Sequence, residues 1–331
     1  MVDYTHYIKA TSVVDTYLDH INMLNNTAQK QHFLTRLNLC QGFGHLLDDK
    51  RVKSNLFKFI LNDLENKLNM SFDEMWDESM KEDDFGYKKE IKKVDDADVK
   101  FYFGMTEIME LIGILLRQNI ELPKDIDKKV NKESLQKMID IANKDDIMKK
   151  DEGTTYVNGI GEIISLKELR DDLVPIEWDV INNCYKKIWD YYINICQKSS
   201  ELNTKHKRHN NIYGLTHCVI NLTNFYTRFI GNNDIFMNQI KQTSRILINL
   251  VDSQRLNNYK IYNDDTLAEM LLCIRLCCQG DCIERLNALD ALSLRFDSAK
   301  LMFREHKYDK LKDELIKNEH TNILYVLNVL Y

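Results

Sequence analysis

The residues with the most chemical potential lie at the openings of two similar stretches of the sequence. The stretch from Tyr213 to Arg228 opens with Tyr-Gly-Leu-Thr, and His217 and Cys218 follow directly. The stretch from Phe103 to Gln118 opens with Phe-Gly-Met-Thr, and Glu107 stands where the first has His217. Both openings lead into apolar helical patterns. These side chains are therefore predicted to lie in the first turns of two equivalent helices.

His217 is the best candidate for a general acid or base, because an unperturbed imidazole titrates near neutral pH. A neighbouring carboxylate, from Glu107 or Glu269, would orient the ring and raise its pKa. The competing interpretation is a core histidine that is hydrogen-bonded to a backbone carbonyl. Cys218 points about 100° round the helix from His217, so the two are not predicted to form a nucleophile–base pair.

Further polar residues follow at a nearly constant interval, which suggests a repeated helical unit. Intervals of 50–55 residues fit a pair of ordinary helices with two loops. Against this, acidic residues and histidines are numerous enough for some to fall at any chosen spacing. The positions that follow the interval are Glu107, Glu162, His217, Glu269 and His320, and His45 lies a longer 62 residues before Glu107.

Two prolines and eleven glycines interrupt the whole chain, and no run of alternating apolar residues predicts a strand. We therefore predict an all-α fold, an array of antiparallel helix hairpins with about twelve helices. The array either closes into an α/α toroid or forms an irregular helical solenoid. In a toroid, polar ends of the inner helices would converge on a central pocket. The residues predicted there are His217, Glu107 and Glu269 as catalytic groups, with Tyr213, Asp264, Thr216 and Arg208 as binding groups.

The 331 residues are predicted to form one all-helical domain, 1–331. An alternative division separates 1–150 from 162–331 at residues 151–161, where Gly159 and Gly161 mark the clearest loop. Arg208 belongs to a second predicted loop, Lys205 to His209, whose basic residues suit an anion.

Two local patterns predict structure rather than chemistry. Ser71 and Glu74 have the spacing of a capping box, in which each side chain accepts a hydrogen bond from the other residue's backbone N–H. The helix that follows Pro175 carries aromatic residues at helical spacing, including Tyr185, Trp189 and Tyr192. Such a stripe is more typical of a core than of a binding surface.

The net charge of −6 argues against nucleic-acid binding, which needs clustered positive charge. No apolar run is long enough to span a bilayer, and the N-terminus lacks the apolar core of a signal peptide, so a cytoplasmic protein is predicted. The abundance of Asn, Lys and Ile is typical of a bacterial-like, low-GC composition.

The eight cysteines include one cluster, Cys273, Cys277, Cys278 and Cys282. Cys273 and Cys277 are one helical turn apart and could share a soft metal, but the chain contains no C-x-x-C pair. Buried thiols are the favoured interpretation, and neither a metal site nor a cofactor is predicted. Signatures of zinc proteases, P-loop proteins, serine hydrolases and kinases do not occur.

Two hypotheses for function remain. The first is a helical-repeat interaction protein that binds a peptide or partner protein on a concave, aromatic-lined surface. The alternative is a metal-independent enzyme whose central pocket, around His217, Glu107 and Glu269, performs acid–base chemistry on a small molecule or modified peptide. The interaction protein is the first choice, and the sequence does not define the oligomeric state.

Overall fold

The computed structural model confirms the all-α prediction. It describes residues 4–20, 50–81, 96–144, 153–198, 205–226, 230, 235–278, 280–304, 307 and 309–331. These residues contain thirteen α-helices and one small antiparallel hairpin, in which β1 (Phe296–Asp297) pairs with β2 (Met302–Phe303). The predicted repeat position His45 lies outside the described residues. Closure of the array into a toroid stays a prediction.

The helices are numbered in chain order. They are α1 (Tyr4–Asp19), α2 (Lys50–Asn69), α3 (Phe72–Lys81), α4 (Ala97–Arg117), α5 (Lys132–Ala142), α6 (Gly153–Leu169), α7 (Trp178–Gln197), α8 (Lys205–Leu222), α9 (Met237–Asp252), α10 (Asp264–Cys278), α11 (Ile283–Ser293), α12 (Leu311–Lys317) and α13 (Glu319–Leu330).

The chain separates into two compact units. The first, here called the central unit, is Phe57–Asn224, and the second, the terminal unit, combines Met1–Leu56 with Phe225–Tyr331. Each unit has its own buried apolar residues and is described separately below.

Alternate helices of the central unit run parallel to one another. In the α6–α8 pair, Asn158 contacts His217 and Ser165 contacts Asn224, so residue numbers rise together along both helices. In the α4–α6 pair, Tyr102 bonds the Tyr156 carbonyl near one end, and Arg117 bonds Ser165 near the other.

The intervening helix α7 runs the opposite way, as a hairpin array requires. Its Tyr185 bonds the Cys218 carbonyl of α8, whereas Cys196, further along α7, bonds the earlier Asn211 carbonyl. Tyr185, Trp189 and Tyr192 of the aromatic stripe are buried, whereas Trp178 at the start of α7 is exposed. The interpretation of the stripe as core is therefore confirmed for its buried part.

The shared Gly motif marks helix packing and not helix starts, which corrects the sequence interpretation. Gly104 and Gly214 both lie inside their helices, α4 and α8. A Cβ at Gly104 would lie 2.7 Å from the Phe72 ring of α3, and a Cβ at Gly214 would overlap the Tyr192 ring of α7. Each glycine thus admits an aromatic ring from a neighbouring helix. Consequently His217 is not in a first turn, because α8 begins at Lys205.

Two predicted loops are also helical. Helix α6 covers 153–169, including Gly159 and Gly161, so the prediction of a loop at 151–161 is wrong over its described residues. Helix α8 likewise includes Lys205 to His209. The glycines of α6 resembled turn signals, but they allow close packing against neighbouring helices. In α8 the helix includes the polar residues Lys205 to His209.

The capping box is confirmed, because Ser71 N–H donates to Glu74 Oε2 at 2.7 Å and Glu74 N–H to Ser71 Oγ at 3.2 Å.

The terminal unit repeats the parallel arrangement with α10 and α13. Asp265 contacts His320 at the start of both helices, and the Ala268 carbonyl accepts from Asn328 further along. Helix α1 packs antiparallel to α13, with His6 bonded to Tyr325. Of the helices in the described part of the chain, none combines the length and hydropathy needed to cross a bilayer.

Candidate functional site

The three predicted catalytic residues lie in two different units. Glu107 on α4 and His217 on α8 belong to the central unit, and Glu269 on α10 belongs to the terminal unit. Each unit therefore contains its own cluster of polar side chains, and we describe the two clusters in turn.

The cluster of the central unit is built on one polar row from each of two parallel helices. On α6 the row is Asn158, Glu162 and Ser165; the other row is His217 and Asn221 of α8, followed by Asn224 in the turn after that helix. Spacings of four and three residues place each row on a single helix face. Gly161 lets the two helices approach, because a Cβ there would overlap Asn221.

A chain of hydrogen bonds links His217 to the backbone. Asn221 Nδ2 donates to the Val157 carbonyl at 3.2 Å and to Asn158 Oδ1 at 3.1 Å, and His217 Nδ1 lies 2.7 Å from the same Asn158 Oδ1. A backbone carbonyl only accepts, so Asn221 must direct its amide nitrogen towards it. Asn158 must then present its oxygen to Asn221.

This chain defines the tautomer of His217. Because Asn158 presents an acceptor oxygen, His217 Nδ1 must carry a hydrogen and donate it. In the neutral ring the basic lone pair is then on Nε2. The ring itself is partly exposed, and the Tyr213 ring contacts it edge-on with centroids 6.2 Å apart.

Glu107 makes a different contact from the one predicted. Its Oε2 accepts from Lys67 of α2 at 3.0 Å, in an ion pair whose lysine side chain is largely buried. The group that orients His217 is the neutral amide of Asn158, which the sequence analysis did not select.

Beyond His217 the polar rows end at a buried arginine, Arg117, and a buried carboxyl group, Glu162. Arg117 of α4 donates to Asn224 Oδ1 at 2.8 Å and to Ser165 Oγ at 3.3 Å. Glu162 is 1% exposed, and burial raises the pKa of its carboxyl to about 8, although the positive charge of Arg117 opposes the shift; Glu110 raises the pKa further. At neutral pH Glu162 is therefore mostly protonated. The repeat interval had singled out Glu162, but not as a site residue.

Two acceptor atoms of this cluster are buried without a hydrogen bond from the described residues. They are Glu162 Oε2 and Asn221 Oδ1. An unsatisfied buried acceptor costs about 1–3 kcal/mol. Such atoms are therefore places where a proton or the donor group of a bound molecule would be stabilised.

Of the four predicted binding residues, Tyr213 contacts the His217 ring, and the structure places the other three elsewhere or describes them only in part. Thr216 is fully buried, and its hydroxyl donates to the Ile212 and Tyr213 carbonyls of its own helix. Asp264 forms an ion pair with Arg295 in the terminal unit. The backbone of Arg208 lies in α8, and its side chain is outside the described residues.

The cluster of the terminal unit joins α10 to α13. Asp265, Glu269 and His320 each direct one ligand-type atom into a space where all three atoms lie within 4.8 Å of one another. His320 Nδ1 is 2.7 Å from Asp265 Oδ1, and Glu269 is fully buried. Burial lowers the pKa of His320, but Asp265, Glu269 and Glu319 outweigh that effect and raise it to about 10.

The sequence analysis selected two of these three residues. Glu269 and His320 followed the repeat interval, but Asp264 was chosen in place of its neighbour Asp265. Adjacent residues point about 100° apart on a helix, so an error of one residue chooses the wrong face. No metal site was predicted, because the carboxylates and the imidazole are more than 50 residues apart in sequence.

The cysteine cluster fits the interpretation as thiols. Cys273 is fully buried, and burial raises the pKa of Cys277 well above its usual value. Within the described residues no cysteine belongs to a group of three metal-ligand side chains. Cys278 Sγ lies 2.9 Å from Ser244 Oγ, which is a polar contact between α10 and α9.

Comparisons with protein-family models, with curated proteins and with solved structures give no match to this chain. The case for a function therefore depends on the geometry of the two clusters.

Proposed function

We propose that the protein is an enzyme in which His217 acts as a general base towards a small polar molecule bound in the central unit. The observation that supports this most directly is the hydrogen-bond chain from the Val157 carbonyl through Asn221 and Asn158 to His217. This chain selects one tautomer and one ring orientation of His217, as a general base requires.

The chemistry follows from that tautomer. With hydrogen on Nδ1, the Nε2 lone pair accepts a proton from an O–H, N–H or acidic C–H bond of the bound molecule. The bonding electron pair stays on that molecule, and the imidazolium that forms is stabilised by the Asn158 oxygen at Nδ1. Orientation by a neutral amide, in place of a carboxylate, avoids the increase in basicity that an adjacent negative charge would cause.

The buried acceptors indicate what kind of molecule would bind. Glu162 Oε2 and Asn221 Oδ1 favour a ligand with hydroxyl or amino hydrogens. The polar rows lead from the partly exposed Asn158 and His217 down to these two buried residues. We therefore infer a small polyhydroxy or amino compound as the substrate class.

The interaction protein becomes the second choice. The aromatic stripe of α7 does not supply its aromatic-lined surface, because Tyr185, Trp189 and Tyr192 are buried in the core of the central unit. Peptide or protein binding elsewhere on the chain stays a prediction, as does the absence of nucleic-acid partners.

The tautomer can be tested directly by NMR of protein labelled with ¹⁵N-histidine, where protonated and unprotonated ring nitrogens have distinct shifts. We expect the His217 signals, assigned by their loss in His217→Gln, to show hydrogen on Nδ1 at neutral pH. His20 provides an internal reference, because its Nδ1 lies 2.8 Å from the Thr16 carbonyl and must donate to it. Asn158→Leu removes the acceptor, so we expect the His217 ring to lose its preference for hydrogen on Nδ1. Asn158→Asp retains an acceptor oxygen and should retain that preference.

Function is tested by thermal unfolding against a library of polyhydroxy and amino metabolites. A true ligand raises the melting temperature of wild type and of the control His20→Gln, and loses that effect in His217→Gln. Three results would each contradict the proposal. The first is a His217 ring with hydrogen on Nε2, and the second is a tautomer that stays unchanged in Asn158→Leu. The third is a library whose members raise the melting temperature of His217→Gln as much as that of wild type.

A further inference from the structure

The terminal unit contains a constellation that the proposed chemistry of the central unit does not use. Asp265 and Glu269 lie one turn apart on the same face of α10, and His320 faces them from the parallel helix α13. Three ligand-type atoms within 4.8 Å of one another match the spacing of donors around a single metal ion. The described residues contain one such group.

We propose that Asp265, Glu269 and His320 form a binding site for a divalent first-row transition-metal ion. This site goes beyond the proposed acid–base function and is independent of it.

Ordinary helix capping does not account for the cluster. An acidic residue in the first turn, such as Asp265, is expected from the helix dipole alone. Glu269, however, is in the second turn and is fully buried, so its ionised form would lack hydration. A carboxylate buried beside a second carboxylate needs a nearby positive charge.

His320 faces the two carboxylates from the neighbouring helix, with its Nδ1 2.7 Å from Asp265 Oδ1. A divalent cation between the three ligand atoms would be favoured by the negative charge of ionised carboxylates as well as by coordination.

A neighbouring group is placed to support the ligands. Thr321 Oγ1 donates to Asp265 Oδ1 at 3.2 Å, which orients that carboxylate from α13.

The donor set identifies the class of ion. Two carboxylates and one imidazole suit borderline ions such as Mn²⁺, Fe²⁺, Co²⁺ and Zn²⁺ better than Ca²⁺, which prefers all-oxygen sites with six or more ligands. Three protein ligands leave coordination positions for water or another small ligand, as in catalytic zinc sites.

The test measures binding of Mn²⁺ to the full chain after treatment with EDTA, using the EPR signal of free Mn²⁺. Mn²⁺ is preferred to Zn²⁺ as the probe because the chain has eight cysteines, and thiolates bind Zn²⁺ but not Mn²⁺ with high affinity. We expect about one equivalent to bind to wild type. Co²⁺ then reports the ligand set through its visible absorption, and Ca²⁺ should compete poorly.

Variants decide whether these residues hold the ion. Glu269→Gln and His320→Ala are expected to weaken Mn²⁺ binding at least about 10-fold. The matched control is His6→Ala, because His6 also pairs with an aspartate in the same unit, Asp290 at 2.8 Å, and the residues that the structure describes place no third ligand atom beside this pair. It should bind as wild type does.

Unfolding in EDTA keeps the test independent of misfolding. Glu269→Gln relieves carboxylate repulsion, so without metal it should unfold cooperatively at a melting temperature no lower than that of wild type. It should also lose the increase in melting temperature that Mn²⁺ causes in wild type. The proposal is overturned if wild type binds no first-row ion, if Glu269→Gln and His320→Ala bind as tightly as wild type, or if His6→Ala loses binding equally.

Discussion

Glu162 is a buried acid whose ionised form the fold disfavours, so its replacement by glutamine should stabilise the protein above neutral pH. The side chain is 1% exposed, and its pKa is raised from 4.5 to about 8, mainly by burial. Arg117 opposes the shift by its positive charge, and Glu110 adds to it. Glutamine has the shape of the protonated acid and cannot ionise.

The sign and size of this effect on the unfolding free energy follow from the linkage between protonation and folding. Between pH 4.5 and about 8 the folded protein holds a proton that the unfolded chain has released, so the stability associated with Glu162 falls as pH rises. The slope is about 1.4 kcal/mol for each pH unit inside that window. Relative to Glu162→Gln, wild type should therefore lose up to about 3 kcal/mol of unfolding free energy between pH 4.5 and 7.

The assay is urea unfolding of both proteins at several pH values from 4.5 to 8.5. Glu162→Gln should match wild type at the acid end and exceed it increasingly towards pH 8. Glu168→Gln is the control, because Glu168 is exposed on the same helix and should show no such trend. If Glu162→Gln is less stable than wild type at pH 8, Arg117 holds Glu162 ionised and the reasoning from burial is refuted.

Two further predictions concern stability alone. Gly214→Ala should lower the unfolding free energy by about 1–3 kcal/mol, because its Cβ would overlap the Tyr192 ring. Gly280→Ala is the control, because a Cβ there meets nothing closer than 3.8 Å and should leave stability unchanged. Thermal melting of both variants checks this. Tyr17→Phe should cost about 1 kcal/mol in urea unfolding, because the buried Tyr17 hydroxyl donates to a carbonyl of α12 at 2.8 Å, whereas Tyr7→Phe on the exposed face of α1 should be neutral.

Much of the fold was predictable because its signals are local. Scarce prolines and helical apolar spacing predicted an all-α chain, and the structure confirms it. The capping box at Ser71 and Glu74 and the buried aromatic stripe of α7 were also found, since each depends on residues within one or two helical turns.

Glycine was misinterpreted where its role is tertiary. Gly159, Gly161 and Gly214 resemble turn or helix-start signals in the sequence, yet all three lie within helices. Each lacks a Cβ because a side chain from a neighbouring helix occupies that space. The local sequence does not reveal which helix packs against a glycine, so it cannot distinguish this use of glycine from a turn. Tertiary packing outweighs the cost of about 1 kcal/mol for glycine in a helix.

The candidate sites were only partly predictable for a related reason. The repeat interval found Glu162, Glu269 and His320, since parallel helices of a repeat place equivalent residues side by side. It did not find Asn158 or Asp265, which supply the hydrogen-bond partners. Partners depend on the rotation of each helix about its axis, and an error of one residue there changes the face by about 100°.

The parallel rows also explain which residues merit functional study. In the α6–α8 pair, Asn158 bonds His217 and Ser165 bonds Asn224, two contacts with the same sequence separation of 59 residues. Most polar groups in such rows therefore satisfy one another and need no ligand. Glu162 Oε2 and Asn221 Oδ1 are exceptions among the described residues, because the fold buries both without a hydrogen bond. Under the proposed function these two acceptors are the positions where a proton or the donor group of a bound molecule would be stabilised.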